Sequence, residues 1–250
     1  MIRLALFLLL ILPAPLKAEQ VVAGLSQSRI SISTNFDGSE ILIFGAVKRE
    51  DAITEDPPLE VIITVEGPSR PVAVRRKEKR FGIWVNTDVI DVDAAPTYYA
   101  VATSAPWEAA IKDIEDLRHK VSIRRAIRSV GATIEGSEDF TDALIRIRER
   151  KDLYQTNIGS VRFDESTLFN TSVKLPANLT EGDYTARFFL TRGGEVLDIH
   201  QKVIPVQKVG LERFLFRLAH DQPLVYGLMS LAIAIAAGWG ASAVFRFIRN

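Results

Sequence analysis

The segment Leu59-Glu-Val-Ile-Ile-Thr-Val-Glu66, followed by the breaker Gly67-Pro-Ser69, decides how this sequence folds. Residues 61–65 are five consecutive β-branched residues, which favour an extended strand over a helix. Their apolar side chains do not alternate with polar ones. The segment therefore predicts a central strand that is covered on both faces.

Six further short segments with strand composition surround this strand. Turn residues such as Asp37-Gly-Ser39 and Asp56-Pro-Pro58 separate them. This spacing predicts a mainly β fold, with an Ig-like antiparallel sandwich over residues 19–104. The six strands are predicted at Val21–Leu25, Arg29–Ser33, Glu40–Val47, Pro71–Arg75, Gly82–Asn86 and Thr97–Thr103.

Helical periodicity replaces the strand pattern in a helical insert over residues 105–155. Pro106 and Glu108 suit the first turn of one helix. Ser137, followed by two acids, suits the start of a second. We expect the apolar stripe of each helix to pack on the adjacent sheets. The first stripe comprises Ile111, Ile114, Leu117, Val121 and Val130, and the second Phe140, Ala143, Leu144, Ile147 and Tyr154.

Strands return in a second β-rich, Ig-like segment over residues 156–208. Arg192-Gly-Gly194 is typical of a hairpin turn. Tyr184 lies near a strand start, as does the tyrosine of Ig-like folds that hydrogen-bonds back to the backbone. These strands would complete a small second sandwich or share a sheet with the insert. They are predicted at Val161–Asp164, Leu168–Leu175, Tyr184–Thr191 and Glu195–Val206.

The amino-terminal residues 1–18 have the features of a secretory signal peptide. Arg3 precedes the apolar run Leu4–Leu12, and two prolines follow before a cleavage site after Ala18. An uncleaved anchor is the alternative, because Leu16 is larger than the residue preferred three positions before the cut. A signal peptide implies that the centre of the chain is exported.

The carboxy-terminal region predicts a transmembrane helix over residues 222–246. Leu224–Phe245 contains no charged residue and is long enough to cross a bilayer. The basic residues after it favour a cytoplasmic tail, 247–250. We therefore expect a single-pass protein of a bacterial inner membrane, with its N-terminal domain in the periplasm. An amphipathic interfacial helix is predicted just before the span, at residues 209–221.

Small residues recur every fourth position within the predicted span. Such spacing lets a second helix approach closely, so it predicts helix–helix packing in the membrane, including packing between copies of this chain. The alternative is that small residues are simply frequent in membrane helices. The stripe comprises Ser230, Ala234, Gly238 and Ser242.

The overall charge balance hides differences between these regions. Lys and Arg total 31, Asp and Glu also total 31, and there is no cysteine. Both ends lack acids, so residues 19–221 carry 27 basic and 31 acidic residues. The composition excludes long disorder, a disulfide scaffold and a cysteine-ligated zinc module. The expected partners are the lipid bilayer and another membrane or envelope protein, and not nucleic acid.

Catalytic motifs are not evident in the sequence. The histidines at 119, 200 and 220 are isolated, and there is no phosphate-binding loop or nucleophile elbow. Asp88-Val-Ile-Asp-Val-Asp93 is acidic but lacks the glycine and final glutamate of an EF-hand loop. We expect no enzyme activity, no cofactor and no metal site. A hydrolase site assembled from distant loops stays as an alternative.

A run of basic residues on a predicted hairpin, 70–80, is the strongest candidate for binding. The run holds six basic residues and one acid, so it could bind an anion or an acidic partner. The alternative is a solvated hairpin whose charges protect a sheet edge. Trp84, which follows the run, is expected to pack in the core or against the hairpin. The candidate binding residues are Arg75, Arg76, Lys77, Lys79 and Arg80.

Several short segments occur in order along the chain. They are Phe44-Gly-Ala46, Glu66-Gly-Pro68, Arg75-Arg-Lys-Glu78, Gly82-Ile-Trp-Val-Asn86, Thr97-Tyr-Tyr-Ala100, Thr167-Leu-Phe169, Leu175-Pro-Ala-Asn-Leu-Thr-Glu-Gly-Asp-Tyr184, Tyr226-Gly-Leu228 and Ala237-Gly-Trp239. Together they resemble the alphaproteobacterial putative transmembrane protein family. The resemblance implies a single-pass inner-membrane protein with its bulk in the periplasm, associated with permeases of the sulfite-exporter type. It implies no catalytic residue.

These observations favour a membrane-anchored periplasmic accessory or scaffold protein of an envelope complex. The alternative is a periplasmic module that binds anions or acidic partners through the basic hairpin.

Overall fold

The computed structural model of the chain describes residues 19–33, 36–49, 56–129, 137–209 and 211–249, and these form a mainly β protein. The predicted signal peptide lies outside the described residues. The strands are β1 Gln20–Leu25, β2 Ile30–Ile32, β3 Ser39–Lys48, β4 Leu59–Glu66, β5 Ser69–Arg80, β6 Ile83–Pro96, β7 Tyr99–Thr103, β8 Tyr154–Asn157, β9 Arg162–Asp164, β10 Leu168–Leu175, β11 Gly182–Arg192 and β12 Glu195–Lys208. The helices are α1 Trp107–Ala110, α2 Asp113–His119, α3 Ile123–Ala126, α4 Ser137–Glu149, α5 Leu211–Asp221 and α6 Pro223–Arg249.

The strands form two main sheets and a separate hairpin. One sheet has the order β1-β3-β10-β9, and the other β2-β12-β11-β4-β7-β8, with β7 and β8 parallel. Strands β5 and β6 pair only with each other among the described strands. The chain divides into two compact units. Among the described residues, the first contains those up to Ile30 and those between Asp37 and Val206, and the second contains those between Ser31 and Phe36 and those from Gln207 onward.

The two main sheets of the first unit face each other as a sandwich. The rings of Phe169 on β10 and Phe188 on β11 are 6.2 Å apart between the sheets, and both side chains are buried. At one edge, the backbone N–H of Val21 donates to a carboxylate oxygen of Asp198 at 2.7 Å. Burial of the facing apolar side chains stabilises the sandwich without any cysteine.

The central strand predicted from the sequence is confirmed. β4 runs from Leu59 to Glu66, between β11 and β7, and its residues 61–65 are all buried. One face of β4 lies in the sandwich. On the other face, Ile62 belongs to a core that also contains Phe140 and Leu144 of α4. The uninterrupted apolar run therefore reflects a strand covered on both sides.

The helical insert differs from its prediction in the first half. Three short helices replace one long helix, and Ile114 and Leu117 are more than half exposed, whereas Ile111 and Val121 are buried. The second helix is confirmed as α4. Tyr154, however, is not on its stripe but begins β8. Val130, the last residue of the predicted stripe, lies outside the described residues.

Asp116 is the residue that ends α2. Its carboxylate accepts hydrogen bonds from the backbone N–H groups of Val121 and Ser122, at 3.0 and 2.7 Å, and from the Ser122 hydroxyl. Lys120 adopts a left-handed conformation, φ 52°. A side chain that satisfies backbone donors beyond the helix stabilises the turn there. The apolar spacing alone cannot reveal this interruption.

The segment 156–208 supplies strands to both sheets. β10 pairs with β3, and β11 with β4, so the strands after the insert complete the sheets begun before it. The hydroxyl of Tyr184 donates to the carbonyl of Thr180 at 2.9 Å, as its position near a strand start predicts. The turn at Gly193 and Gly194 joins β11 to β12, which confirms the predicted hairpin.

The second unit contains the two carboxy-terminal helices. α5 coincides closely with the predicted interfacial helix, and Phe214 and Phe216 are exposed on it. α6 extends to Arg249, beyond the predicted span. Its part from Pro223 to Ser242 is long and apolar enough to cross a membrane, and none of it is buried in the protein.

Candidate functional site

The basic run forms part of a long two-stranded arm. Strands β5 and β6 pair in antiparallel register from Ser69–Pro96 at the base to Arg80–Ile83 at the end. The turn consists of Phe81 and Gly82, both with positive φ, 51° and 84°. Positive φ at both central residues is typical of a type I′ turn, whose twist matches that of paired strands. This tight turn leaves few backbone groups unpaired at the tip.

The base of the arm is fixed by the core of the insert. Val74, Ile90 and Val92 are buried in the same cluster as Phe140 and Leu144 of α4. These β-strand residues lie on one face, because Val74 is opposite Ile90 in the register. The proximal half of the arm therefore belongs to the folded body.

Arg76 marks the point where the arm leaves the body. Its guanidinium lies 3.4 Å from the carboxylate of Asp139 on α4 and 4.0 Å from that of Asp88. It also lies 4.7 Å from the ring centroid of Phe140. The register shifts between Arg76 and Lys77, so a β-bulge separates the two halves. Arg76 therefore holds the arm to α4, apart from the other predicted binding residues.

The other predicted binding residues, Arg75, Lys77, Lys79 and Arg80, are exposed. Lys79 is opposite Trp84, so the two share a face, and Arg80 is opposite Ile83 on the other face. Arg80 also lies 3.4 Å from the carboxylate of Glu78. The distal half thus presents cations on both of its faces.

Large apolar side chains cluster at the tip, which the sequence analysis missed. Phe81 is fully exposed, Ile83 is 64% exposed and Trp84 is 68% exposed. Trp84 therefore does not pack in the core, which was one of its two expected positions; it lies on the hairpin opposite Lys79. The order of residues in the sequence could have revealed this cluster. A charged run is followed by Phe81 and Gly82 at the turn, and two apolar residues, Ile83 and Trp84, come directly after the turn. The site is therefore both basic and apolar.

The small residues of α6 lie on one inclined stripe of the helix, as spacing of four residues requires. Ser230, Ala234, Gly238 and Ser242 are exposed. A Cβ added at Gly238 would meet no atom of the described residues within 4 Å. The stripe is therefore open to a second helix.

A further apolar surface lies on the outer face of the sheet β1-β3-β10-β9. Val22, Leu42, Phe44 and Leu168 are about half exposed there. Outward positions of a solvated sheet are usually polar. No local sequence pattern marks this surface, since its residues come from three strands.

Groups suited to metal binding are not brought together in the described part of the chain. Asp88 faces Arg76. Because side chains alternate between the two faces of a strand, Asp91 and Asp93 lie on the opposite face of β6 from Asp88. The histidines are also apart: His119 lies 3.3 Å from Glu115, and the ring of His200 lies 6.0 Å from that of Phe188.

A partly buried polar cluster surrounds Arg187 on β11. Its guanidinium donates to the carbonyls of His119 and Lys120, at 2.8 and 3.1 Å, and to the hydroxyl of Tyr99 at 3.1 Å. The Tyr99 hydroxyl in turn donates to the carbonyl of Val121 at 2.7 Å. These bonds end on the backbone that follows α2, so the cluster attaches the insert to the sheet.

Four buried tyrosines make the fold sensitive to alkali. Burial raises the pKa of Tyr98, Tyr99 and Tyr184, and it raises the pKa of Tyr154 to about 12 although Arg148 opposes the shift. The unfolded tyrosines ionise near pH ~10. Above that pH the unfolded chain loses protons that the folded chain keeps, so the free energy of unfolding falls by ~1.4 kcal/mol per pH unit for each such tyrosine.

We expect urea midpoints of the detergent-solubilised chain to be level up to about pH 10 and to fall steeply above it. Tyr154→Phe should lower the free energy of unfolding at neutral pH but make its decline between pH ~10 and ~12 shallower. An equal slope in both proteins across that window would contradict the assignment.

Comparison with known proteins identifies one family. A family described as "Putative transmembrane protein (Alph_Pro_TM)" matches residues 20–247. A search of the curated proteins finds no match. The matched region includes both sheets, the arm and nearly all of α6. The chain therefore belongs to the Alph_Pro_TM family of transmembrane proteins.

Proposed function

We propose that the protein is an accessory or scaffold subunit of a complex in a bacterial inner membrane or envelope, without catalytic chemistry of its own. The observation that carries the proposal is α6, an apolar helix with exposed small residues at every fourth position. An anchor needs only apolar length, whereas the small-residue stripe also permits close contact with another helix. That second helix belongs to a partner protein or to a second copy of this chain.

The proposed orientation places the β unit in the periplasm. Two sequence features support it: the amino-terminal segment resembles a signal peptide, and the basic residues Arg246 and Arg249 follow the apolar part of α6. In this orientation the sandwich and the arm contact periplasmic components. The family resemblance suggests a permease of the sulfite-exporter type as one membrane partner.

The arm supports a second candidate function, the binding of anionic groups. Lys77, Lys79 and Arg80 are exposed on a hairpin that the core holds only at its base. Unlike Arg76, they project beyond the helix α4. This role is compatible with the scaffold role, since an accessory subunit needs a contact outside the membrane as well as within it.

Photo-crosslinking in native membranes tests the scaffold proposal. A photoreactive residue replaces Ala234 on the stripe in one variant and Lys79 on the arm in another. Ala232, Ala236 and Gly240 form a second series of small residues on α6, so the control is Ile233, a large residue about 100° around the helix from Ala234. We expect discrete crosslinked products from positions 234 and 79, and several-fold less from 233. The proposal is contradicted if neither position 234 nor position 79 gives a crosslinked product.

A further inference from the structure

The tip of the arm combines two chemistries that rarely occur together on a solvated hairpin. Phe81, Ile83 and Trp84 are all strongly exposed within four consecutive residues. Exposed apolar side chains that lie next to each other mark a surface that is covered by a partner or a membrane. Indole and phenyl rings also favour the boundary between lipid and water.

Cations lie directly behind this apolar tip. Lys79 is paired with Trp84 and Arg80 with Ile83, while Lys77, opposite Asn86, is two pairs further from the turn than Lys79. Between residues 75 and 87 the sequence has five cations and one acid. Acids return nearer the base, at Asp88, Asp91 and Asp93. The arm is therefore layered along its length, with an apolar end, a basic zone and an acidic base.

The distal part of the arm is long enough to reach a surface away from the body. Phe81 at the turn lies five residue steps beyond Arg76, the last residue held by α4. At 3.3 Å per residue this part extends about 17 Å. Because the strands pair up to Arg80 and Ile83, their backbone groups are largely hydrogen-bonded before any contact with lipid.

A bilayer with anionic headgroups presents the complementary layers in the same order. Phosphate groups lie at its surface and attract Lys and Arg, and apolar chains begin a few ångströms deeper. A free phosphate ion would use the cations and leave Phe81, Ile83 and Trp84 in water. An acidic protein surface would equally leave the apolar tip unmatched.

We propose that the tip of the β5–β6 arm docks on an anionic phospholipid bilayer. Phe81, Ile83 and Trp84 enter its interfacial layer, and Lys77, Lys79 and Arg80 contact the headgroup phosphates. This inference rests on the proposed anion-binding role of the arm and names the source of the anions. The protein then contacts lipid at two places, α6 and the tip.

Site-specific fluorescence tests the proposal, because a chain without cysteine can carry a single label. The full chain with Phe81→Cys is labelled with a polarity-sensitive nitrobenzoxadiazole dye. It is reconstituted into vesicles of phosphatidylcholine, with or without phosphatidylglycerol. Glu165→Cys, exposed in the turn between β9 and β10, is the control. In a second series of measurements, protein-free phosphatidylglycerol vesicles are added, so that docking on an opposing bilayer is also detected.

We expect the dye emission at position 81 to move to shorter wavelength and to increase when phosphatidylglycerol is present in either series of measurements. The emission at position 165 should not change. Each cation near an anionic surface is worth roughly a fivefold change in equilibrium constant. Adding Lys77→Gln and Lys79→Gln should therefore lower the ratio of docked to free tip about 25-fold. High salt should reverse the change at position 81.

Equal emission at position 81 in all vesicles overturns the inference, as does the same change on adding inorganic phosphate to phosphatidylcholine vesicles. If the dye shows no lipid-dependent change but a protein is crosslinked to position 79, the arm binds a protein. The scaffold proposal then stands, and only the docking inference fails. If no protein is crosslinked from positions 234 and 79 while the lipid response is present, the scaffold proposal fails and docking stands.

Discussion

Replacing Phe189 by alanine is expected to lower the free energy of unfolding by about 3–5 kcal/mol, the usual cost of removing a buried phenyl ring. Phe189 is fully buried on the central strand β11, in the core that joins the sheet to the insert and to the base of the arm. Its ring also lies 5.2 Å from the guanidinium of Arg187. The cavity left by the ring would affect three parts of the fold at once.

Phe81→Ala is the matched control, because it removes the same group from a fully exposed position. Urea unfolding of the detergent-solubilised full chain, followed by far-ultraviolet circular dichroism, measures both variants. We expect the Phe81 variant to stay within about 0.5 kcal/mol of the parent. Similar losses in the two variants would show that Phe189 is not in a packed core.

The second large effect is expected from Arg187→Ala, at about 3 kcal/mol, since hydrogen bonds from a charged donor are worth ~1.5–3 kcal/mol. The change removes the donor of the His119 carbonyl and one of the two donors of the Lys120 carbonyl, which keeps the Tyr99 hydroxyl at 3.2 Å. It also removes the cation that lies 3.8 Å from the Glu66 carboxylate. We expect the insert to be released from the sheet at lower urea than the sandwich unfolds.

Hydrogen exchange of the insert, together with the urea midpoint, distinguishes this result from a general loss of stability. Arg146→Ala, an exposed arginine on α4, is the control and should change the midpoint little. Combining Arg187→Ala with Glu66→Gln should cost less than the two changes added together, because they share one ion pair. Strict additivity would contradict the contact.

Local patterns in the sequence predicted the strands of the sandwich well. The bounds of β4 and β10 agree with the prediction at both ends, because their apolar residues meet a core. The arm is longer than predicted. Residues 75–80 of β5 are charged on both faces, so no alternation of apolar and polar residues marks them as a strand.

The features that the sequence did not predict depend on contacts between residues distant in sequence or on single side chains. The end of α2 depends on the Asp116 carboxylate, which apolar periodicity does not register. The exposure of Trp84 depends on where the body ends along the arm. The pairing of β10 with β3 joins segments that no local pattern connects.

That pairing has a consequence for how the protein is made. β3 acquires its neighbour β10 only after more than a hundred further residues have been synthesised, and a similar length of chain separates β4 from β11. Contacts this distant in sequence slow folding and leave strand edges open in the meantime. We therefore expect these edges of β3 and β4 to stay unpaired during synthesis until β10 and β11 have been made.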